Sequence, residues 1–175
     1  MKKIITGIAI AAFFLSACKT SPGTEAKGVD SAAVKLEKNK QTAINSDLAF
    51  NKKDVDAIFK DCTPDYTEYG NGESKPMKLD SIKANIKGLF VGFPDFKVEN
   101  LHAIAEGDTV IVIADWSGTF KNEFMKMKPT GKTYKAPDAD IFTFNKDGKI
   151  TSHRSVQADE TYFMQLGIPM PPKKP

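Results

Sequence analysis

Cysteine and histidine are scarce. Cys18, Cys62, His102 and His153 are the whole supply. No CxxC pair, HExxH helix motif or EF-hand loop is present, so no recognised zinc or calcium site is written in the chain, and no metal is expected. There is no Walker loop and no GxSxG, and Gly70-Asn71-Gly72 lacks the rest of a dinucleotide fingerprint. Charge of one sign is also missing: 25 basic residues face 22 acidic ones. No Lys/Arg cluster is interleaved with aromatics, which argues against a nucleic-acid partner. Long apolar runs are limited to Ile4 through Leu15, shorter than the roughly 20 residues a helix needs to span a bilayer.

That short run is the informative part of the N-terminus. Met1-Lys2-Lys3 supplies a basic start, the run an apolar core, and Leu15-Ser16-Ala17-Cys18 a small-residue cut site. Together they resemble a bacterial lipoprotein signal. The resemblance implies cleavage after Ala17, lipidation of Cys18 and a domain held outside the cytoplasm at the cell envelope, anchored to the membrane rather than crossing it. Cleavage would leave 158 residues, with 23 basic against 22 acidic. With Cys18 lipidated, Cys62 has no partner for an intramolecular disulfide. It follows Val55, Ile58 and Phe59 at helical spacing and reads as a small buried hydrophobe.

Four segments follow from composition: a leader (1–17), a lipidated Cys18 with a flexible tether (18–30), one domain (31–167) and a Pro-rich tail (168–175). The domain is expected to open with a helix from Ser31, its apolar stripe carried by Ala33, Leu36, Ala43, Ile44 and Leu48. Asp54 can cap a short second helix that ends at Thr63-Pro64. Residues 65–69 read as a short strand, and a third helix covers about 79–90. Four strands follow, at about 96–105, 109–120, 133–144 and 150–157, and then a short helix at 159–166. Helices first and antiparallel strands after make an α+β fold. Strand 109–117 is apolar on both faces, with Val110, Val112, Ala114 and Trp116 on one and Ile111 and Ile113 on the other. Helices can cover one face; a second copy of the chain is expected on the other, making a homodimer.

Residues 94–167 carry an ordered set of pieces: Pro94-Asp95-Phe96, Ala105-Glu106-Gly107-Asp108, Trp116-Ser117-Gly118-Thr119, Asp140-Ile141-Phe142-Thr143-Phe144, Asp147-Gly148-Lys149-Ile150, His153 and Gln165-Leu166-Gly167. In this order and spacing the chain resembles the SnoaL-like polyketide cyclase family of the nuclear transport factor 2-like superfamily. The resemblance implies a cone, in which a curved antiparallel sheet wraps around three N-terminal helices and leaves a pocket at its open end. It also implies acid–base chemistry by an aspartate on the last strand, with no cofactor. The family has an acid five positions after its histidine; here that position is Ala158, and Asp159 comes one later. A family histidine after the second helix corresponds to Tyr69.

On these grounds His153, Asp140 and Asp159 are the candidate catalytic residues, and Tyr69, Trp116, Phe142, Phe144 and Gln157 the candidate ligand contacts. A histidine beside a carboxylate exchanges protons near neutral pH; equally, Asp140 and His153 could satisfy each other in a ligand-free core. Three functions stay open. The first is binding of a small, largely apolar molecule in the cone. The second is a cyclase, isomerase or hydrolase using His153 with Asp140 or Asp159. The third is a dimeric scaffold or partner-binding module at the envelope, its cone filled by Phe142, Phe144 and methionines.

Overall fold

Val110, Val112, Ala114 and Trp116 are buried to within 6% exposure, while Ile113 between them is 43% exposed. This alternation sets the architecture of the computed structural model, which describes residues 25–70 and 73–170. The leader, Cys18, the first part of the tether, Asn71-Gly72 of the expected turn and the end of the Pro-rich tail lie outside the described residues. Among the described residues no helix is long and apolar enough to cross a membrane.

The elements in chain order are α1 (Glu25–Ala49), a 3-10 turn (Phe50–Lys52), α2 (Val55–Phe59), β1 (Cys62–Tyr69), β2 (Met77–Lys78), α3 (Leu79–Gly92), β3 (Lys97–Glu106), β4 (Thr109–Thr119), β5 (Thr133–Phe144), β6 (Ile150–Gln157) and α4 (Asp159–Leu166). The fold is α+β, with one curved, unclosed sheet in the order β2-β1-β6-β5-β4-β3. Its pairs are antiparallel except β1 with β6, which is parallel.

Several boundaries differ from expectation. Helix α1 starts at Glu25, six residues ahead of Ser31, so that residues 25–30 are helical where a tether was expected. Adding turns to an existing helix fixes one residue per hydrogen bond, which is far easier than nucleating one. Asp54 does cap α2, its Oδ1 accepting from Ala57 N at 3.0 Å. That helix ends at Phe59 rather than at Pro64, and Cys62 opens a strand. Cys62 is half-buried, and desolvation, helped by the Glu68 charge, pushes its thiol up to about 12.

The apolar stripe of α1 also sits differently. Leu48 is 38% exposed, and the buried positions are Asn39, Ala43, Ser46, Asp47 and Ala49. The helix turns a partly polar face inward. Ser46 Oγ donates to Ile58 O at 2.9 Å and ties α1 to α2.

Two apolar clusters hold the layers together. One joins α1 and α2 to Val110, Val112, Phe142, Phe144 and Ile150. The other gathers Phe93, Phe96, Trp116, Phe120, Tyr134 and Leu166. Each large side chain removed from water is worth about 1.5–3 kcal/mol. Helix α3 meets the β4–β5 loop closely: a Cβ on Gly92 would lie 2.7 Å from Phe124 Cβ. The outer sheet face carries Ile104, Ile113 and Val156, each 43% to 54% exposed, with Ile111 and Ile141 in register between neighbouring strands.

Strand β3 is bent by a register shift between Glu99 and His102, where Asn100 takes φ 56°. Just before the bend, Asn51 acts as an extra strand: its Oδ1 accepts from Val98 N at 2.8 Å and its Nδ2 donates to Val98 O at 2.9 Å. Asn51→Ala strips both partners from a buried backbone segment. Chemical denaturation should show a loss of about 1–3 kcal/mol; a change within error would mean that water replaces the amide without cost.

Candidate active site

Strand alternation brings the polar side chains to one end of the cone. On β5, Asp138, Asp140 and Phe142 face inward, and on β6, His153, Ser155 and Gln157 do the same. Cross-strand partners are Asp140 with Ser155 and Asp138 with Gln157. The hydrogen bonds run diagonally to this register. His153 Nε2 lies 2.9 Å from Asp140 Oδ1, and Ser155 Oγ donates to Asp138 Oδ2 at 3.1 Å.

The parallel pairing of β1 with β6 supplies the other half. It places Glu68 opposite His153 and Tyr69 opposite Arg154. Glu68 Oε1 is 2.7 Å from His153 Nδ1, and Tyr66 donates its hydroxyl to Glu68 Oε2 at 2.5 Å. Both ring nitrogens of His153 thus face carboxylates. Burial alone would lower the pKa of His153, but Glu68 and Asp140 outweigh it and hold it well above its ordinary value. The favourable charge–charge contribution to folding is complete below about 6.5 and is lost only as pH rises through that raised value.

Asp47 reaches the same end of the cone from α1 and is 2% exposed. Desolvation first, then repulsion from Asp140, raises its pKa well above the usual carboxylate range, despite an opposing pull from His153. Asp138 rises to about 6 for the same two causes, with hydrogen bonds from Gln157 and Ser155 resisting. Burial and the neighbouring Glu68 push Tyr66 upward as well. Oδ2 of Asp47, Oδ1 of Asp138 and Oδ2 of Asp140 have no hydrogen-bond partner among the described residues, nor do Trp116 Nε1 and Tyr162 Oη.

These groups line one side of a cavity of about 410 Å³. Its remaining walls are apolar and largely aromatic: Phe50, Phe93, Phe96, Trp116, Tyr134 and Phe142, with Phe124, Met125 and Met127 of the β4–β5 loop. Phe50 and Trp116 meet edge-on at 5.1 Å, and Phe142 lies against the His153 ring at 4.7 Å. Among the described residues no group of three His, Cys, Asp or Glu side chains is arranged to hold a metal ion.

Of the candidates named from sequence, His153, Asp140, Asp159, Trp116, Phe142 and Gln157 line this cavity. Two do not. Tyr69 points to the other side of the sheet, where Arg154 lies over its ring at 4.5 Å, because the strand that turns Glu68 inward must turn its neighbour outward. Phe144 is packed in the cluster beneath α1, one pleat beyond the cavity. Asp159 arrives by a different route from the bulge that alternation would require: β6 ends at Gln157, and Asp159 is the first residue of α4. Three residues were missed. Glu68 and Asp138 share the inward parity of Tyr66 and Asp140. Asp47 was detectable only as part of the spacing Asn39, Ala43, Ser46, Asp47, which is helical but not apolar.

The model of the SnoaL-like polyketide cyclase family matches residues 41–166. The chain belongs to that family. Among solved structures, the protein is similar to AclR of Streptomyces galilaeus, a candidate hydroxylase, at 26% identity and a TM-score of 0.67, over 75% of this chain and 97% of that one. It is similar to IdmH of Streptomyces antibioticus, a candidate polyketide cyclase, at 22% identity and a TM-score of 0.64, over 74% and 99% of the two chains. A phenazine biosynthesis-related protein from Pseudomonas aeruginosa shares the fold at 19% identity and a TM-score of 0.66, over 85% of this chain and 97% of that one. No curated protein matches the sequence at a significant level. As a SnoaL-like domain the chain has the family's cone and, inside it, its own set of acids.

Asp138 gives a direct test of the electrostatics. A carboxyl whose folded pKa is raised from 3.8 to about 6 favours the fold while protonated and loses that favour as pH rises through about 6. Asp138→Asn should therefore stabilise the protein by about 1–2 kcal/mol near pH 8 and bring no gain near pH 3. Thermal melts across that range check it. Destabilisation at both ends would show that the bond from Ser155 outweighs the buried charge.

Proposed function

We propose that this SnoaL-like domain is a cofactor-independent acid–base catalyst for a small, largely apolar carbonyl compound bound in the cone. One observation carries the reading. A histidine fixed between two carboxylates, with unpartnered carboxyl oxygens beside it, closes the polar end of an otherwise aromatic cavity. A mostly apolar pocket with a few convergent polar groups is the usual form of a ligand site.

Asp138 is suited to be the base. Its raised pKa of about 6 lies near neutrality, where a group can both take and return a proton, and its Oδ1 is uncommitted. It removes a proton from the carbon beside the carbonyl. The C–H electron pair becomes the enolate π bond, and the carbonyl oxygen takes the negative charge. Asp47, which favours its protonated form, is the nearby acid for that oxygen. In an unsaturated ketone the proton then returns to a carbon conjugated with the enolate, which shifts the double bond and is isomerisation; alternatively the enolate carbon attacks a second carbonyl of the same molecule. In the second case a C–C bond forms and the new alkoxide takes the proton from Asp138. No atom is lost in either outcome. His153 has no nitrogen left to give a substrate; it positions Asp140 and offsets the charge of its neighbours.

Exchange of α-protons of cyclic and polycyclic ketones in D₂O, followed by NMR, tests this. The protein should accelerate exchange, and Asp138→Asn should slow it by about 10²–10⁴-fold with the fold intact. Equal exchange by the two proteins would sink the catalytic assignment and leave binding without turnover.

We further propose that Cys18 carries a lipid anchor and that the outer sheet face, with Ile104, Ile113 and Val156, packs against a second copy. The Leu-Ser-Ala-Cys site behind a basic, apolar leader supports the first, and the exposed isoleucines support the second. In membrane fractionation followed by sedimentation, the Cys18→Ala protein should leave the membrane and run as a dimer. Adding Ile113→Lys should make it a monomer. Retention at the membrane counts against the anchor, and an unchanged dimer counts against the face.

A further inference from the structure

The described residues that line the cavity include no lysine and no arginine. They include five carboxyl groups, of Asp47, Glu68, Asp138, Asp140 and Asp159, against the single imidazole of His153. Asp47, Asp138 and Asp140 are each at most 5% exposed, and each has a buried oxygen without a hydrogen-bond partner. Such atoms are costly to leave bare, and the matching occupant is a donor that also carries positive charge. The other lining side chains include the aromatic rings of Phe50, Phe96, Trp116 and Phe142, and the face of such a ring attracts a cation through its quadrupole.

We propose that the cone selects an organic cation: a molecule with an apolar body and a protonated amine set among Asp47, Asp138 and Asp140. The inference rests on the cavity being the ligand site, as proposed above, and names the class of compound that fits it. An anionic ligand would add to an acidic cluster that one imidazolium already fails to neutralise. A neutral one would leave that excess uncompensated in a medium where charges interact strongly. A bare metal ion is a poor match, because the walls are aromatic and the acids are not arranged as a ligand set among the described residues. The groups facing the bound cation come from every surrounding element: Asp47 from α1, Tyr66 and Glu68 from β1, Asp138 and Asp140 from β5, His153 from β6, and Asp159 and Tyr162 from α4.

Trp116 is the only tryptophan and lines the cavity, so its fluorescence reports occupancy. Three probes separate charge from shape: benzylammonium, its neutral carbon isostere ethylbenzene, and phenylacetate. Near neutral pH the cation should bind about tenfold more tightly than the isostere, with phenylacetate weakest. In Asp138→Asn the preference for the cation should shrink by at least about threefold while affinity for ethylbenzene is unchanged. Equal or tighter binding of the neutral probe overturns the proposal, as does a preference that survives Asp138→Asn. Cation preference without ketone exchange would reject only the acid–base reading. Ketone exchange without cation preference would reject only this inference. Failure of all three probes to bind rejects it outright.

Discussion

The pairing of His153 with Glu68 and Asp140 is the constraint on which the interior depends. Four carboxyl groups from three elements converge on a space shielded from water. Without a cation among them their mutual repulsion and desolvation would each cost several kcal/mol. The imidazole lies 2.7 Å and 2.9 Å from its two partners and offers positive charge in two directions at once. It links β1, β5 and β6 through side chains where the backbone ladder alone would link them only edge to edge.

The compensation is incomplete, and that incompleteness is the chemically useful part. Asp47 and Asp138 are desolvated and repelled by Asp140 beyond what His153 offsets, so their proton affinities rise. A protein selected for stability alone would fill these positions with apolar or amide side chains. Keeping an acid with a raised proton affinity beside an aromatic cavity is the arrangement expected of a site that moves protons or holds charge.

Much of this was legible in the sequence because strand alternation is a rigid rule. Once β5 and β6 were placed, Asp140 and Phe142 had to share one face, and His153, Ser155 and Gln157 another. Tyr69 came from the family correspondence and not from this rule; applied to β1, alternation turns Glu68 inward and its neighbour Tyr69 to the other face, over which Arg154 lies. The parallel pairing of β1 with β6 could not be read at all; it follows from a crossover that no local pattern records. Asp47 escaped notice for a different reason. A helix stripe is recognised by its apolar side chains, and α1 instead buries Asn39, Ser46 and Asp47, the last two against the cavity. The leader and Cys18 rest on sequence alone.

One contact beside the cavity sets where part of its wall stands. Gly92, in the last turn of α3, has no room for a side chain against Phe124 of the β4–β5 loop, and that loop brings Met125 and Met127 to the cavity wall. The backbone is tied at the same place, where Lys121 N and Asn122 N both donate to Gly92 O. A larger side chain at position 92 would have to push Phe124 away from α3, so the absence of one methyl group helps fix where the aromatic lining sits.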